Sequence, residues 1–308
     1  MVVLTYVLVL KLFSNQKAAL LSSLLLAISP WSLQLSRAAF EAHLAAMLNL
    51  AGITSFVYCR KKKWLLPVAI IFFVASFYTF NSNRIIAPLL ILLLTVLYRF
   101  FLFSDKKWTI VSIIIGLLLI LPTISYFQTR ESRLRFTEVS IFNNLDTIQK
   151  SNARISRSGS IWWAKILYNR RVYFIREFLK HYLDHFKGEY LFIKGDRNPR
   201  LSIQDVGELY LFELPFLIYG LFKVAKLKSK TSLLLLGWLL IAPVPAGMAK
   251  ETPHMLRTAS ALPVWQIFTA AGLVYFWHWL KSQHRLLKNI ILISLSIIIT
   301  GNIFYYLH

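Results

Sequence analysis

The sequence predicts an all-α polytopic membrane protein, and three observations carry that reading. The 308 residues are 57% hydrophobic and only 16% charged, against roughly 25% charged in an average soluble domain. Mean hydropathy is +0.57, and at this length the apolar residues outnumber the positions a soluble core can bury. Apolar runs near the ~20 residues needed to cross a bilayer recur along the chain. The net charge of +22, from 35 Lys and Arg against 13 Asp and Glu, invites a nucleic-acid reading. The basic residues lie between the apolar runs and not on one polar face, so no nucleic-acid partner is expected. A single cysteine, Cys59, excludes an internal disulfide and a cysteine-based zinc site.

Taken in order, the spans are predicted at 18–35, 37–58, 64–81, 84–103, 108–126, 208–225, 231–248, 259–280 and 288–307, about nine full transmembrane helices. The start, Met1 to Phe13, is apolar but too short to span. It has no basic leader region and no small-residue cleavage site, so it reads as a partial helix and not a signal peptide. The chain therefore divides into transmembrane helices over 1–126, a long loop over 127–207, and transmembrane helices over 208–308.

Orientation follows from the short loops. Lys11, Lys17, Arg60 to Lys63, Arg99, Lys106, Lys107, Lys223, Lys226, Lys228, Lys230, Lys281, Arg285 and Lys288 fall in one set, with Asp105 the one acid among them. That set is expected to be cytoplasmic, which makes the protein a multi-pass protein of the cytoplasmic membrane with the long loop outside. Four cations fall at the outer mouths of spans, where the topology rule disfavours them: Arg37, Arg84, Lys250 and Arg257. Singly, each can snorkel to the headgroups. Four at one face on different helices, with Glu41 close to Arg37, favour a shared anion site, and a lipid-linked phosphate is the anion found at that depth.

The outer loop changes character along its length. Residues 127–160 are rich in Arg, Ser and Asn and read as a mobile loop. From Ile161-Trp162-Trp163 onward, apolar residues recur at helical spacing through Phe174, Phe178, Leu179, Tyr182 and Phe186, with Arg170, Arg171, Arg176 and Lys180 between them. Such a basic amphipathic helix suits the headgroup plane, and packing on the outer ends of the spans is an equal alternative. His181 and His185 have the i, i+4 spacing of a metal pair, with Asp184 between them. Without further ligands in the pattern, a solvated helix face is the expectation. Glu208 and Glu213 lie where the chain re-enters the membrane, and Pro215 is expected to bend that span.

Three segments resemble a known family when read in series. The first is LLLAISPWSLQLSRAAFEAHLAAML, residues 24–48, with Ser29, Pro30, Arg37 and Glu41. The second is SFYTFNSNRIIAPLL, residues 76–90, with Arg84. The third joins LFIKGD at 191–196, GELYLFELPFLIYGL at 207–221 and APVPAGMAKETPHMLRTASALP at 242–263. In order and spacing they resemble the GT-C superfamily of multi-span glycosyltransferases, nearest the protein mannosyltransferases and lipid A aminoarabinose transferases.

The resemblance implies a polyprenyl-phosphate sugar as donor, held in a cavity at the outer membrane face, and usually inverting transfer to an acceptor. Membrane lipid is the other implied partner. The acceptor is left open between protein, lipid and glycan. Glu41 matches the family's second acidic position and is the candidate catalytic carboxylate. Lys250, His254 and Arg257 match the late outer loop that meets the lipid phosphate, joined there by Arg37 and Arg84. No cofactor is firmly implied. Some relatives use a divalent cation, for which His254 is the candidate ligand, with a phosphate-contact or capping role the alternative. The family's principal acid lies in an earlier outer loop, so the chain is expected to be either an N-terminally truncated member or a degenerate copy, and not to complete transfer alone.

The chemistry is sound on general grounds. A phosphate leaving group develops charge that fixed cations stabilise, and a hydroxyl nucleophile needs a base within hydrogen-bond reach. The alternatives are an O-antigen polymerase or ligase and a non-catalytic transporter of lipid-linked sugars. A transporter tends to carry charge at the midplane of broken helices, whereas here charges cluster toward the span ends.

Overall fold

Prolines and short polar turns cut the apolar runs into helices, and the computed structural model describes them over residues 1–127, 129–143, 145–159 and 161–307. Helix α1, Val2–Phe13, ends at Ser14, whose φ is 51°. Asn15 then caps α2, Gln16–Ile28, its side chain accepting from the Ala18 amide at 3.0 Å. The predicted span 18–35 is not one straight helix. It breaks at Ser29, and α3, Pro30–Arg37, departs from α2 at 53°. Pro30 forbids an α conformation before it and costs nothing at the first helical position, so one residue both stops α2 and starts α3. Arg37 closes α3 and Glu41 opens α4, Glu41–Cys59, with the chain reversing at Ala39, φ 51°.

The apolar runs continue as α5, Leu65–Thr79, α6, Asn83–Ser104, α7, Lys106–Ile120, and α8, Pro122–Phe127. Beyond the loop follow α13, Glu213–Lys226, α14, Lys230–Ile241, α15, Val244–Gly247, α16, Met255–Thr258, α17, Val264–Lys281, and α18, Arg285–Leu307. Among the described residues, five helical segments are long and apolar enough to cross a membrane, or seven if each bent pair is one span. Helices α1 and α5 are apolar but shorter. The all-α polytopic class stands.

Pro215 does not bend its span. Helix α13 begins at Glu213, so the proline falls in the first turn, where it displaces no helical hydrogen bond. Residues 208–212, expected inside the membrane run, precede the helix. Helices α13 and α17 cross at Gly220 and Gly272: a side chain at Gly220 would strike the Phe268 carbonyl, and one at Gly272 the Phe216 carbonyl. Small residues let backbones close to this distance, which is where dispersion between membrane helices is gained. Asn49, Ser260, Asn83 and Ser76 form a buried hydrogen-bonded chain that ends on the Ala45 carbonyl and ties α4, α5 and α6 to the turn after α16. At the rim, α18 presents most of its length outward.

The loop expected to be irregular over 127–160 is largely helical: α9, Arg130–Val139, and α10, Leu145–Arg157. Asp146 in the first turn of α10 and Arg154 and Arg157 in the last complement its dipole, which composition alone does not reveal. The amphipathic stretch that follows is two helices, α11, Trp162–Leu167, and α12, Arg170–Asp184. Asn169 divides them, its side chain accepting from the Arg171 amide at 2.9 Å. One face of α12 packs on the α15 end of the α14–α15 segment. The Tyr182 hydroxyl donates to the Leu240 carbonyl, and the Phe178 ring and Tyr182 Cβ crowd Gly247.

Candidate functional site

Segment 189–208 builds the floor of the site. A π-helical turn, Glu189–Lys194, ends at Gly195, whose φ of 65° turns the chain where a side chain would be strained. The next residue, Asp196, is thereby delivered into the interior, 3% exposed. Its Oδ2 accepts from the Met255 amide at 2.7 Å and its Oδ1 from the Asn198 amide at 2.9 Å. The Asp196 amide in turn donates to Glu208 Oε1 at 3.1 Å. Gln204, held at φ 73°, donates its side-chain amide to the Asp196 carbonyl at 2.7 Å and closes the turn.

The late loop lies across this floor. The His254 amide donates to His185 Nε2 at 3.0 Å, and His185 Nδ1 donates to the His181 carbonyl at 2.8 Å. Those two bonds fix His185 as the neutral Nδ1–H tautomer. Thr252 donates to Asp184, which Lys187 pairs from the same helix end at 2.6 Å. His181 Nδ1 is bonded to the Ala249 carbonyl. The two histidines are thus neither a solvated face nor a metal pair: His185 is 2% exposed, and both of its ring nitrogens hold the chain together. Among the described residues no three His, Cys, Asp or Glu side chains gather as a metal site. His254 Nδ1 is buried without a hydrogen-bond partner, 3.8 Å from Asp196 Oδ2.

Burial dominates the electrostatics. It pushes the Asp196 carboxyl above the ordinary carboxylate range, against the pull of the Asn198 and Met255 amides and of Arg257. Glu208 is driven well above that range, by burial first and by the neighbouring Asp196 second. The imidazoles go the other way, His185 down to about 4 and His254 to about 3, again through burial first. At Asp184 burial acts upward, but the bonds from Lys187 and Thr252 outweigh it and hold the carboxyl below its usual range. At neutral pH His254 is therefore uncharged, and its proximity to Asp196 is no ion pair.

The structure distributes the expected site residues in two groups around segment 195–208. On one side, Arg257 is half-buried, its Nη1 donating to the Glu251 carbonyl at 3.0 Å, with the charges of Glu251 and Asp196 nearby. Lys250 is exposed, and its amide donates to the Val139 carbonyl, so α9 reaches this loop. Arg84 lies in the first turn of α6, next to Asn83, whose Oδ1 accepts from Ser260 at 3.1 Å; that bond joins the start of α6 to the turn following Arg257. On the other side, Arg37 lines an open cleft of about 400 Å³ with Gln34, Pro199, Ser202 and Gln204. A narrow crevice continues from the cleft to Glu208 and Tyr306. Glu41 is exposed at the start of α4, across the chain reversal from Arg37.

Sequence reasoning passed over Asp196, Glu208 and His185 as a unit. Asp196 lies in the LFIKGD segment, and a carboxylate straight after a glycine at the end of an apolar run is the one signal that could have marked it.

No protein-family model matches the chain, and no curated protein sequence does. Among solved structures it is similar to the archaeal oligosaccharyltransferase AglB from Archaeoglobus fulgidus, described in complex with an inhibitory peptide and a dolichol-phosphate. The match has a TM-score of 0.56 over 99% of this chain at 13% identity, and the chain spans 42% of that protein's length. The likeness is one of fold alone.

Proposed function

We propose that this chain is a membrane glycosyltransferase, or a fragment of one, that takes a sugar from a polyprenyl-phosphate donor at the outer face of the cytoplasmic membrane. The observation that carries the reading is the late loop: Arg257 is held half-buried over a floor of buried carboxyls and neutral histidines. A guanidinium at the end of a span, partly desolvated and fixed in advance, is suited to a lipid phosphate as its negative charge grows. Lys250 and Arg84 flank it from neighbouring elements, and Arg37 serves from the cleft. His254 is a loop-positioning or phosphate-contact residue in this reading, because its amide and ring are both turned into the floor. Glu41 is the candidate carboxylate toward the acceptor, on resemblance. The relation to the mannosyltransferase and aminoarabinose-transferase group belongs to the same proposal.

The test is retention of undecaprenyl phosphate by the purified protein, read by native mass spectrometry. The wild type is expected to carry the lipid and Arg257→Ala to lose it at least tenfold, at unchanged thermal stability. Equal retention by the two proteins would overturn the assignment.

A further inference from the structure

Helix α12 buries one face: Phe178 and Tyr182 pack on the α15 end of the α14–α15 segment, Phe174 meets Phe142, and His185 holds the late loop. A second apolar face is left over. Ile175 is 60% exposed, Leu179 50% and Leu183 57%, and Val172 continues the line one turn earlier. At helical spacing these residues form a single stripe. Arg176 and Lys180 each follow a stripe residue by one position, so they run along one edge of it, and both are exposed. Trp162 and Ile166 of the preceding helix α11 are likewise turned outward.

Water is a poor occupant for such a face, since an apolar stripe with a basic border is the pattern of a helix lying in the headgroup plane. Its position follows from its contacts. Tyr182 bonds to the carbonyl of Leu240, and the Leu240 side chain is itself 54% exposed on a membrane-spanning helix. The stripe of α12 therefore adjoins a surface that already faces lipid tails, at the level where the tails give way to headgroups. Tryptophans suit that level, where one end of the ring is apolar and the other is wet.

We propose that the exposed stripe of α12, bordered by Arg176 and Lys180, docks on anionic lipid headgroups of the leaflet on the loop side of the membrane. Docking has a consequence for the late loop, because Asp184 and His185 at the end of α12 hold Thr252 and the His254 amide. A lipid-seated α12 gives that loop a fixed base.

Spin labels test the proposal on the whole chain. With Cys59 replaced by Ala, single cysteines are placed at Ile175, Leu179 and Leu183, and separately at Arg176 and Lys180. The chain is then studied in nanodiscs of phosphatidylcholine with or without phosphatidylglycerol. Labels on the stripe are expected to favour collision with oxygen over a water-soluble nickel chelate in the anionic discs, and labels on the basic edge the reverse. In otherwise wild-type chains labelled at Leu179, Arg176→Gln and Lys180→Gln should each lower the docked-to-undocked ratio by roughly fivefold, the effect of one basic residue near an anionic surface. Stripe labels open to the chelate in both discs would overturn the proposal. So would labels shielded from both colliders, which would mean a protein partner, and equal docking in neutral and anionic discs.

Discussion

The crossing of α13 and α17 and the floor beneath the late loop are both buried, yet they are built on opposite terms. At the crossing, Gly220 and Gly272 bring two backbones together with no side chain between them, and stability comes from contact alone. At the floor, Asp196, Glu208 and His185 are polar groups taken out of water and held by amides. Burying such groups costs several kcal/mol unless hydrogen bonds compensate. A fold that needed only stability would fill that space with apolar side chains. The floor fixes the backbone of 252–257 and so the place of Arg257, which gives the expense a purpose.

The largest effect should come from the crossing. Gly272→Val puts a branched side chain against the Phe216 carbonyl, and overpacking of this kind costs about 1–3 kcal/mol or more. The outcome expected is loss of the monodisperse species in size-exclusion chromatography, and normal behaviour would mean the helices part easily.

Next in size is Asp196→Ala at the floor, which strands the buried Met255 amide and removes the partner of the more open Asn198 amide. An unmet buried donor costs about 1–3 kcal/mol. Hydrogen exchange should speed up in 251–257 while α4 and α17 stay protected. Uniform loosening would merge the two regions the comparison separates.

Acid should act on the floor and spare the crossing. Unfolded imidazoles titrate near ~6.5, whereas His185 and His254 are held down to about 4 and about 3. Between those values the unfolded state binds more protons, so this part of the stability is present near neutral pH and is lost as pH falls from ~6.5 toward 4. The raised carboxyls of Asp196 and Glu208 work in the opposite sense, since their contribution weakens as pH rises through their folded values. Exchange in 251–257 should therefore quicken with acid in the wild type and less steeply in His185→Gln. An unchanged slope would remove the imidazoles from the account.

The smallest effect belongs to Lys63 and Asp105, between α4 and α7. That pair is 2.8 Å apart with the lysine largely exposed, and Lys63→Ala should cost about 0–1 kcal/mol in thermal unfolding.

Much of this architecture was legible in the sequence, for physical reasons that differ from place to place. Apolar runs announce helices wherever they are long enough, but hydropathy carried the predicted span 18–35 straight through the break before Pro30. Pro215 misled because a proline bends a helix only inside it, and the start of α13 at Glu213 is not written in hydropathy. The helices of 130–157 were hidden by polar composition, being held by capping charge and by packing on α12, as in the bond from Thr147 to Glu177. Arg84, Lys250 and Arg257 are candidates the sequence offers because cations at span ends violate a strong rule. The bonds that Asp196 and His185 make to the late loop are not legible there, because they depend on which distant amides these side chains meet, and a linear sequence does not give that.

The most direct test of the central claim is to map where the donor's phosphate sits. An undecaprenyl phosphate analogue carrying a photoreactive diazirine near the phosphate would be crosslinked to the intact protein in nanodiscs and the labelled peptides sequenced. The account predicts labelling in 249–258 and in 34–41, lost from the first of these in Arg257→Ala. Labelling confined to α10 or α18, unchanged by that substitution, would contradict it.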